Sequence, residues 1–276
     1  MSITAAEVNS LRKMTGAGMM DCKHALQEAE GNVDAAIEIL RKKGQKIASK
    51  RGDNAIGEGV ILAKTNADKN CGVLIALNCE TDFVAKNDDF VKFADAIADV
   101  ALTESPSDVE ALKALNFPSA GVSIGEEITN QMGRLGELLE LSRYEQVCDN
   151  CVVAYIHPGN RLSTLVGFNV CVGDEVARDV AMQAAAMAPI ALNEEALSQA
   201  DIDKEIEIGR DLAIQEGKPA EMAEKIALGR LKKWYKEVTL VNQAFIKDNK
   251  KTVAAYVKEA GGNDCEVTSF SRAALS

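Results

Sequence analysis

The chain has 276 residues, 47% of them hydrophobic and 26% charged, a composition that suits a folded protein of two or three domains. Its formal net charge of −11 argues against a phosphate-backbone partner, because nucleic-acid binding needs an excess of Lys and Arg to displace counterions. The start carries no basic patch ahead of a long apolar run, and no window is apolar for long enough to span a bilayer, so the expectation is a soluble cytoplasmic protein with no membrane contact.

The cysteines stand at positions 22, 71, 79, 148, 151, 171 and 265. An odd number, several of them inside apolar runs, predicts reduced, buried thiols in a reducing compartment. Cys148-Asp149-Asn150-Cys151 is the only C-x-x-C. A tetrahedral metal site would need a second pair or a nearby His, and Asp149-Asn150 is turn chemistry, so two turn-flanking cysteines are the plainer reading. There is no G-x-x-x-x-G-K-[ST] loop, and His24 and His157 stand in no zincin or triad motif. No enzyme chemistry, metal or cofactor is therefore expected.

In chain order, residues 1–52 predict three helices. The second carries Cys22, Ala25, Leu26 and Ala29 on one face and ends at Gly31. Asn32 caps the third, whose face is Val33, Ala36, Ile37 and Leu40, with Gly44 beyond its end. The loop Thr15-Gly16-Ala17-Gly18-Met19-Met20 is either an adaptable binding surface or core. This pattern resembles a ubiquitin-associated-type helical domain. The basic stretch Lys42–Asn54 reads as a linker, in part helical.

Gly59–Ala63 and Gly72–Leu77 then predict a β-hairpin, followed by a helix from about residue 87 with Phe90, Phe93, Ala94 and Ile97 on its apolar face. Between strand and helix lies Asn78-Cys79-Glu80-Thr81-Asp82-Phe83-Val84-Ala85-Lys86. Thr81 and Asp82 are good helix-starting residues. Phe83 either pins the helix to the sheet or points outward. A further strand is expected over Glu137–Gln146. Cys151–Ile156 and Thr164–Val170 repeat the hairpin around the turn His157-Pro158-Gly159-Asn160-Arg161, and Glu175–Met187 repeats the helix. The second copy has Cys171-Val172-Gly173-Asp174 at its corner, with no aromatic. Glu126-Glu127 and Glu194-Glu195 read as helix-start carboxylates.

Residues 200–237 predict a helical hairpin reversed at Gly217-Lys218-Pro219. Its seams are Ile202, Ile206, Gly209 and Ala213 on one side and Met222, Ile226 and Gly229 on the other. It either packs on the body or protrudes. Thr252–Lys258 predicts a helix, and Glu266–Phe270 a strand returning to the second half. The fold class is α+β, with two duplicated strand-strand-helix units and antiparallel sheets.

Two separated motifs, Leu11-Arg12-Lys13-Met14-Thr15-Gly16-Ala17-Gly18-Met19-Met20-Asp21-Cys22-Lys23-His24-Ala25-Leu26 and Thr81-Asp82-Phe83-Val84-Ala85-Lys86, resemble the translation elongation factor Ts family. Its members are guanine-nucleotide exchange factors for elongation factor Tu. The resemblance runs from about residue 2 to residue 272. It departs from the family pattern at Ala76, where a carboxylate is usual, and at His24. It implies a ubiquitin-associated-like domain over 1–52, a core subdomain over 53–146, a second over 147–199 and 238–276, and a coiled-coil hairpin over 200–237. No further C-terminal helical module of the kind some members carry is expected. Phe83 would wedge into the partner's nucleotide domain and dislodge Mg²⁺, with Thr81, Asp82 and Val84 beside it. Arg12, Met19 and Met20 would grip the same domain, and His157 would lie near the partner. The resemblance leaves room for a homodimer in a two-plus-two complex. The rival readings are a ubiquitin-associated-like interaction scaffold without exchange activity and a small enzyme using Cys148 and Cys151.

Overall fold

Thr4 and Glu7 close a capping box at the start of α1 (Ala5–Thr15), so that two free backbone donors are satisfied reciprocally. The structure is a computed structural model that describes residues 3–51, 55–118 and 120–275. Gly16, at φ 65°, stops α1. α2 (Met19–Glu28) buries Cys22, Ala25 and Leu26, as its periodicity predicts. The Gly31 N–H then donates to the Leu26 carbonyl at 2.8 Å. Asn32 Oδ1 accepts from the Ala35 N–H at 3.1 Å and opens α3.

α3 (Val33–Arg51) differs from its expected form in two ways. Val33 and Ile37 face outward, while Ala36 is buried and Ile39 and Leu40 pack beside it. Gly44 does not end the helix. A Cβ there would lie 2.1 Å from the Thr129 carbonyl oxygen, so this glycine serves close helix approach instead of termination. Most of the basic stretch is thus helical, and its end, Gly52-Asp53-Asn54, lies outside the described residues.

β1 (Glu58–Thr65) and β2 (Cys71–Cys79) form the expected hairpin, with Glu58 opposite Cys79. Four helices follow: α4 (Asp82–Ala85), α5 (Asp88–Glu104), α6 (Val109–Ala114) and α7 (Ile124–Leu135). β3 (Leu139–Cys148) then pairs antiparallel with β2, completing a sheet of order β1-β2-β3. One face of this sheet packs on Phe90, Phe93, Ile97, Leu112 and Ile124. The other packs Ile61, Leu74 and Ala76 against Val152, Leu165 and Ala273. β2 is buried on both faces, which is why Val73–Leu77 is an unbroken apolar run instead of an alternating one.

β4 (Cys151–Ile156) and β5 (Leu162–Phe168) make the second hairpin, followed by α8 (Asp174–Met187). α9 (Gln199–Gln215) and α10 (Ala220–Val238) run antiparallel, with Arg210 on Glu224 at 3.0 Å and Arg230 on Glu216 at 2.7 Å. The expected seam holds at Gly209 and Ala213, both buried. Its counterpart is Ala223, Ala227 and Leu231; Met222 and Gly229 face solvent. A small ribbon, β6 (Ala244–Phe245) and β7 (Asp248–Thr252), leads to α11 (Val253–Gly261) and β8 (Val267–Ala274). β8 returns to β5, giving a second antiparallel sheet of order β4-β5-β8.

The cysteines depart from the reduced, buried expectation. Cys71 and Cys148 face each other across the β2–β3 register and are joined in a disulfide. Cys148 and Cys171 are exposed. Sequence spacing alone could not reveal a pairing set by strand register 77 residues apart.

Candidate functional site

β2 ends at Cys79, and the next residues are tied down from three sides. Glu80 Oε1 accepts from the Leu138 N–H at 2.6 Å, and Arg51 meets its other oxygen at 2.8 Å. Glu137 takes both Thr81 donors, the N–H at 3.1 Å and the hydroxyl at 2.6 Å. The Cys79 thiol donates to the Thr81 carbonyl at 3.2 Å, and burial pushes its pKa up to about 12. Thr81 occupies the N-cap position of α4 without capping through its side chain: the hydroxyl is already committed to Glu137, reached from 56 positions away.

α4 is a single turn, yet it sorts its residues cleanly. Val84 is only 9% exposed and belongs to the first sheet's core. Phe83, its neighbour, is 84% exposed. The reading of Phe83 as the pin between helix and sheet is therefore overturned: Val84 is the pin. Val84 in turn cannot offer its side chain to a partner in this conformation. Asp82 is half-buried and bonded to Lys86 at 2.6 Å, one turn on. That hydrogen bond and the ammonium charge hold the Asp82 carboxyl below its usual range. Asn87 Oδ1 caps α5 by accepting from the Asp89 N–H at 2.8 Å. An aromatic ring of this size, held out in water on a braced corner, carries a large apolar surface that no described residue covers.

The N-terminal residues approach the same region. A cavity of about 230 Å³ is lined by Arg12, Gly16 to Gly18, Asn87, Asp89, Phe90 and Arg134, among others. Arg12 and the α1–α2 loop thus border the start of α5, directly after the Phe83 corner. The Arg134 guanidinium packs on Gly16, where a Cβ would come within 2.9 Å of it. Met19 and Met20 are 51% and 58% exposed, which removes the alternative that they are core. His157 is exposed in the β4–β5 loop, where its Nδ1 lies 3.0 Å from the Tyr155 hydroxyl. Its loop lies on the second sheet, and it is not among the residues lining the Arg12 cavity.

Of the bracing residues, Glu80 and Lys86 stand in the Asn78–Lys86 stretch without an expected role, and Arg134 and Glu137 stand outside it. Lys86 alone had a local signal, its i,i+4 spacing to Asp82.

The description of the family "Elongation factor TS" matches residues 80–276, a span that opens on this corner. The chain is 53% identical to elongation factor Ts of Christiangramia forsetii over 275 residues, covering 99% of this chain and 98% of that protein. It is 50% identical to elongation factor Ts of Flavobacterium psychrophilum over 276 residues, 99% of each chain. That of Amoebophilus asiaticus is 50% identical over 260 residues, 93% of each.

The chain belongs to the elongation factor Ts family.

The resemblance resting on two short motifs is therefore borne out over nearly the whole length. The Leu11–Leu26 motif precedes the span matched by the family description and is covered by the full-length elongation factor Ts relatives. As an elongation factor Ts family member, the chain is a protein of translation elongation. No helix among the described residues is long and apolar enough to cross a membrane.

Proposed function

We propose that this chain is a cytoplasmic, non-enzymatic guanine-nucleotide exchange factor that acts on elongation factor Tu. We read it as four working units: 1–52, 53–146, 147–199 with 238–276, and the hairpin 200–237. The observation that carries the reading is Phe83, 84% exposed on a corner whose backbone is braced by Glu137 and Val84. A GTPase holds its nucleotide through the phosphates and a Mg²⁺ ion that demands near-ideal octahedral oxygen geometry. A rigid aromatic inserted beside that site displaces the ligands by a small distance, loses the ion and loosens GDP. A braced corner suits the task, because a floppy one would spend the insertion energy on its own rearrangement.

In this reading Phe83 is the wedge and Asp82 the charged contact beside it. Thr81 and Val84 position the turn from within. Arg12, Met19 and Met20 grip the same domain of the partner, and His157 meets it from the β4–β5 loop, whose Arg161 pairs with Glu58 opposite Cys79. The coupling is thermodynamic: the factor binds the empty partner more tightly than the loaded one, so GDP leaves faster and GTP can reload. A scaffold without exchange activity would have no use for a braced wedge. In an enzyme using Cys148 and Cys151 the two would act together, but the Cys148 sulfur is paired with Cys71, and burial pushes the Cys151 thiol up to about 11.

The test is release of labelled GDP from purified elongation factor Tu with and without the protein. Acceleration that falls away in Phe83→Ala, with docking retained, is the expected result. A folded protein that binds elongation factor Tu and leaves GDP release at its unassisted rate would sink the proposal.

A further inference from the structure

Four of the seven cysteines meet where the chain leaves the first sheet for the second. Cys71 and Cys148 are bonded. Three residues on, the Cys151 thiol neighbours that of Cys171, and the Cys171 sulfur lies 3.8 Å from the Asn150 carbonyl. The remaining three, Cys22, Cys79 and Cys265, are buried, Cys265 with its sulfur 3.9 Å from the Val170 carbonyl beside Cys171.

The sulfurs differ sharply in access. Burial pushes the Cys79 thiol up to about 12, and burial with its Cys171 neighbour pushes Cys151 up to about 11. Thiols held protonated are poor nucleophiles, because the thiolate is the reactive form. Cys148 is the last residue of β3 and is exposed, while Cys71 opposite it is half-buried. The corner around it is knit by backbone bonds: the Asp149 N–H donates to the Asn70 carbonyl at 2.8 Å and the Val152 N–H to the Lys69 carbonyl at 2.6 Å. Lys69 Nζ reaches Asp174 at the start of α8 at 2.8 Å, and Asp149 accepts from the Thr268 hydroxyl on β8. The β1–β2 turn, the β3–β4 turn, α8 and β8 are thereby gathered around one covalent bond.

We propose that Cys71–Cys148 is a reversible thiol–disulfide site that stiffens and loosens the joint between the two sheets, with a small-molecule thiol and its disulfide as reaction partners. In the reducing direction a thiolate RS⁻ attacks the Cys148 sulfur. The bond to Cys71 breaks, Cys71 leaves as thiolate and takes a proton, and a mixed disulfide remains on Cys148. A second RS⁻ attacks the R-side sulfur of that mixed disulfide, releases Cys148 as thiolate and forms RSSR. Two electrons pass from two small thiols to the protein disulfide, and the reverse sequence restores it. The surrounding hydrogen bonds outlast the covalent bond, so reduction changes how readily the joint opens without dismantling the fold.

The experiment is a glutathione redox titration of the full chain, with thiols trapped by alkylation and located by peptide mapping, and hydrogen exchange followed at each end point. The expected result is a Cys71–Cys148 link that forms and disappears reversibly with one midpoint, while Cys22, Cys79, Cys151 and Cys265 stay thiols. Exchange at residues 66–72 and 147–153 slows on oxidation, and the thermal midpoint rises by several degrees. Cys71→Ser removes the response and leaves Cys148 carrying glutathione; Cys148→Ser removes it with no adduct at Cys71–Cys148. The titration needs no variant, so a variant that fails to fold leaves it standing. Cys71 and Cys148 remaining alkylatable under oxidising conditions would overturn the proposal. So would Cys148 linking to Cys151 or Cys171 instead, or a link that forms with no change in exchange at the joint.

Discussion

Phe83 and Val84 are adjacent residues with opposite surroundings, and the contrast makes the site testable one side chain at a time. Phe83→Ala removes a ring that touches little of its own chain, so the denaturant midpoint should stay within about 0.5 kcal/mol of the unmodified protein. GDP release from elongation factor Tu should fall by about 30- to 1000-fold, as expected for loss of an interfacial aromatic anchor. Val84→Ala should do the reverse in order: it should destabilise the fold by roughly 1–3 kcal/mol through lost burial and a residual cavity, with exchange affected as the turn loosens. Equilibrium unfolding and stopped-flow release separate the two. Arg12→Ala, at a gripping contact, should weaken docking in a titration of factor concentration and leave the rate at saturation intact. The position of this corner was legible from the sequence, because an apolar strand run meets a helical period there. Which of its side chains faces out was not. A one-turn helix has too little periodicity to assign faces, and the residue that fixes Thr81, Glu137, is 56 positions away.

At the scale of elements, glycines divide into those a neighbour requires and those it does not. Gly44→Ala would drive a Cβ into the Thr129 backbone carbonyl of α7, and relieving that overlap must move one helix. A loss of about 1–3 kcal/mol is expected. Gly229→Ala meets nothing within 4 Å and should stabilise α10 by up to about 1 kcal/mol. Thermal melts of the two variants check both signs. Sequence periodicity read Gly44 as a helix end because a glycine's packing role is invisible without its neighbour. α6 is not read from sequence because it is six residues long, and α7 is read only at its start, where Glu126 and Glu127 stand in the first turn, because Gly125 and Gly133 interrupt its pattern. Long strands and helices with clean periods were placed within a few residues.

α11 offers a titration. The Tyr256 hydroxyl donates to the buried Asp179 at 3.1 Å, beside Lys247 at 2.6 Å. Burial, then that carboxylate, pushes the Tyr256 pKa up to about 12. The folded state therefore holds the phenol proton more tightly than the unfolded chain, whose tyrosine titrates near 10. This contribution is complete below about pH 10 and is lost as pH rises toward about 12. Tyr256→Phe should cost about 1–2 kcal/mol at neutral pH and flatten the alkaline decline of stability, measured by denaturant midpoints between neutral and strongly alkaline pH.

Across the whole molecule, α9 and α10 bury their small seam residues mainly against each other. Replacing residues 203–233 by a short Gly/Ser loop should leave the two sheets folded, with exchange weakened but present. Loss of the body's cooperative melt would show instead that the pair belongs to the main core. The α+β class and the order of elements were readable in advance because each hairpin-helix unit announces itself locally. The disulfide was not, since its partners are joined by register between distant strands.

β5 is completed only by β8, with Leu162 opposite Ala274 and Phe168 opposite Val267. About a hundred positions separate the paired strands. On the ribosome the first sheet can close as soon as β3 has emerged, but β5 must wait with one edge open while α8, the helical pair and α11 are made. Such an edge is a template for pairing with a neighbouring nascent chain. Crowded polysomes are therefore where this protein is most exposed to misassembly, and any chaperone contact during its synthesis should concentrate on the interval between residues 168 and 267.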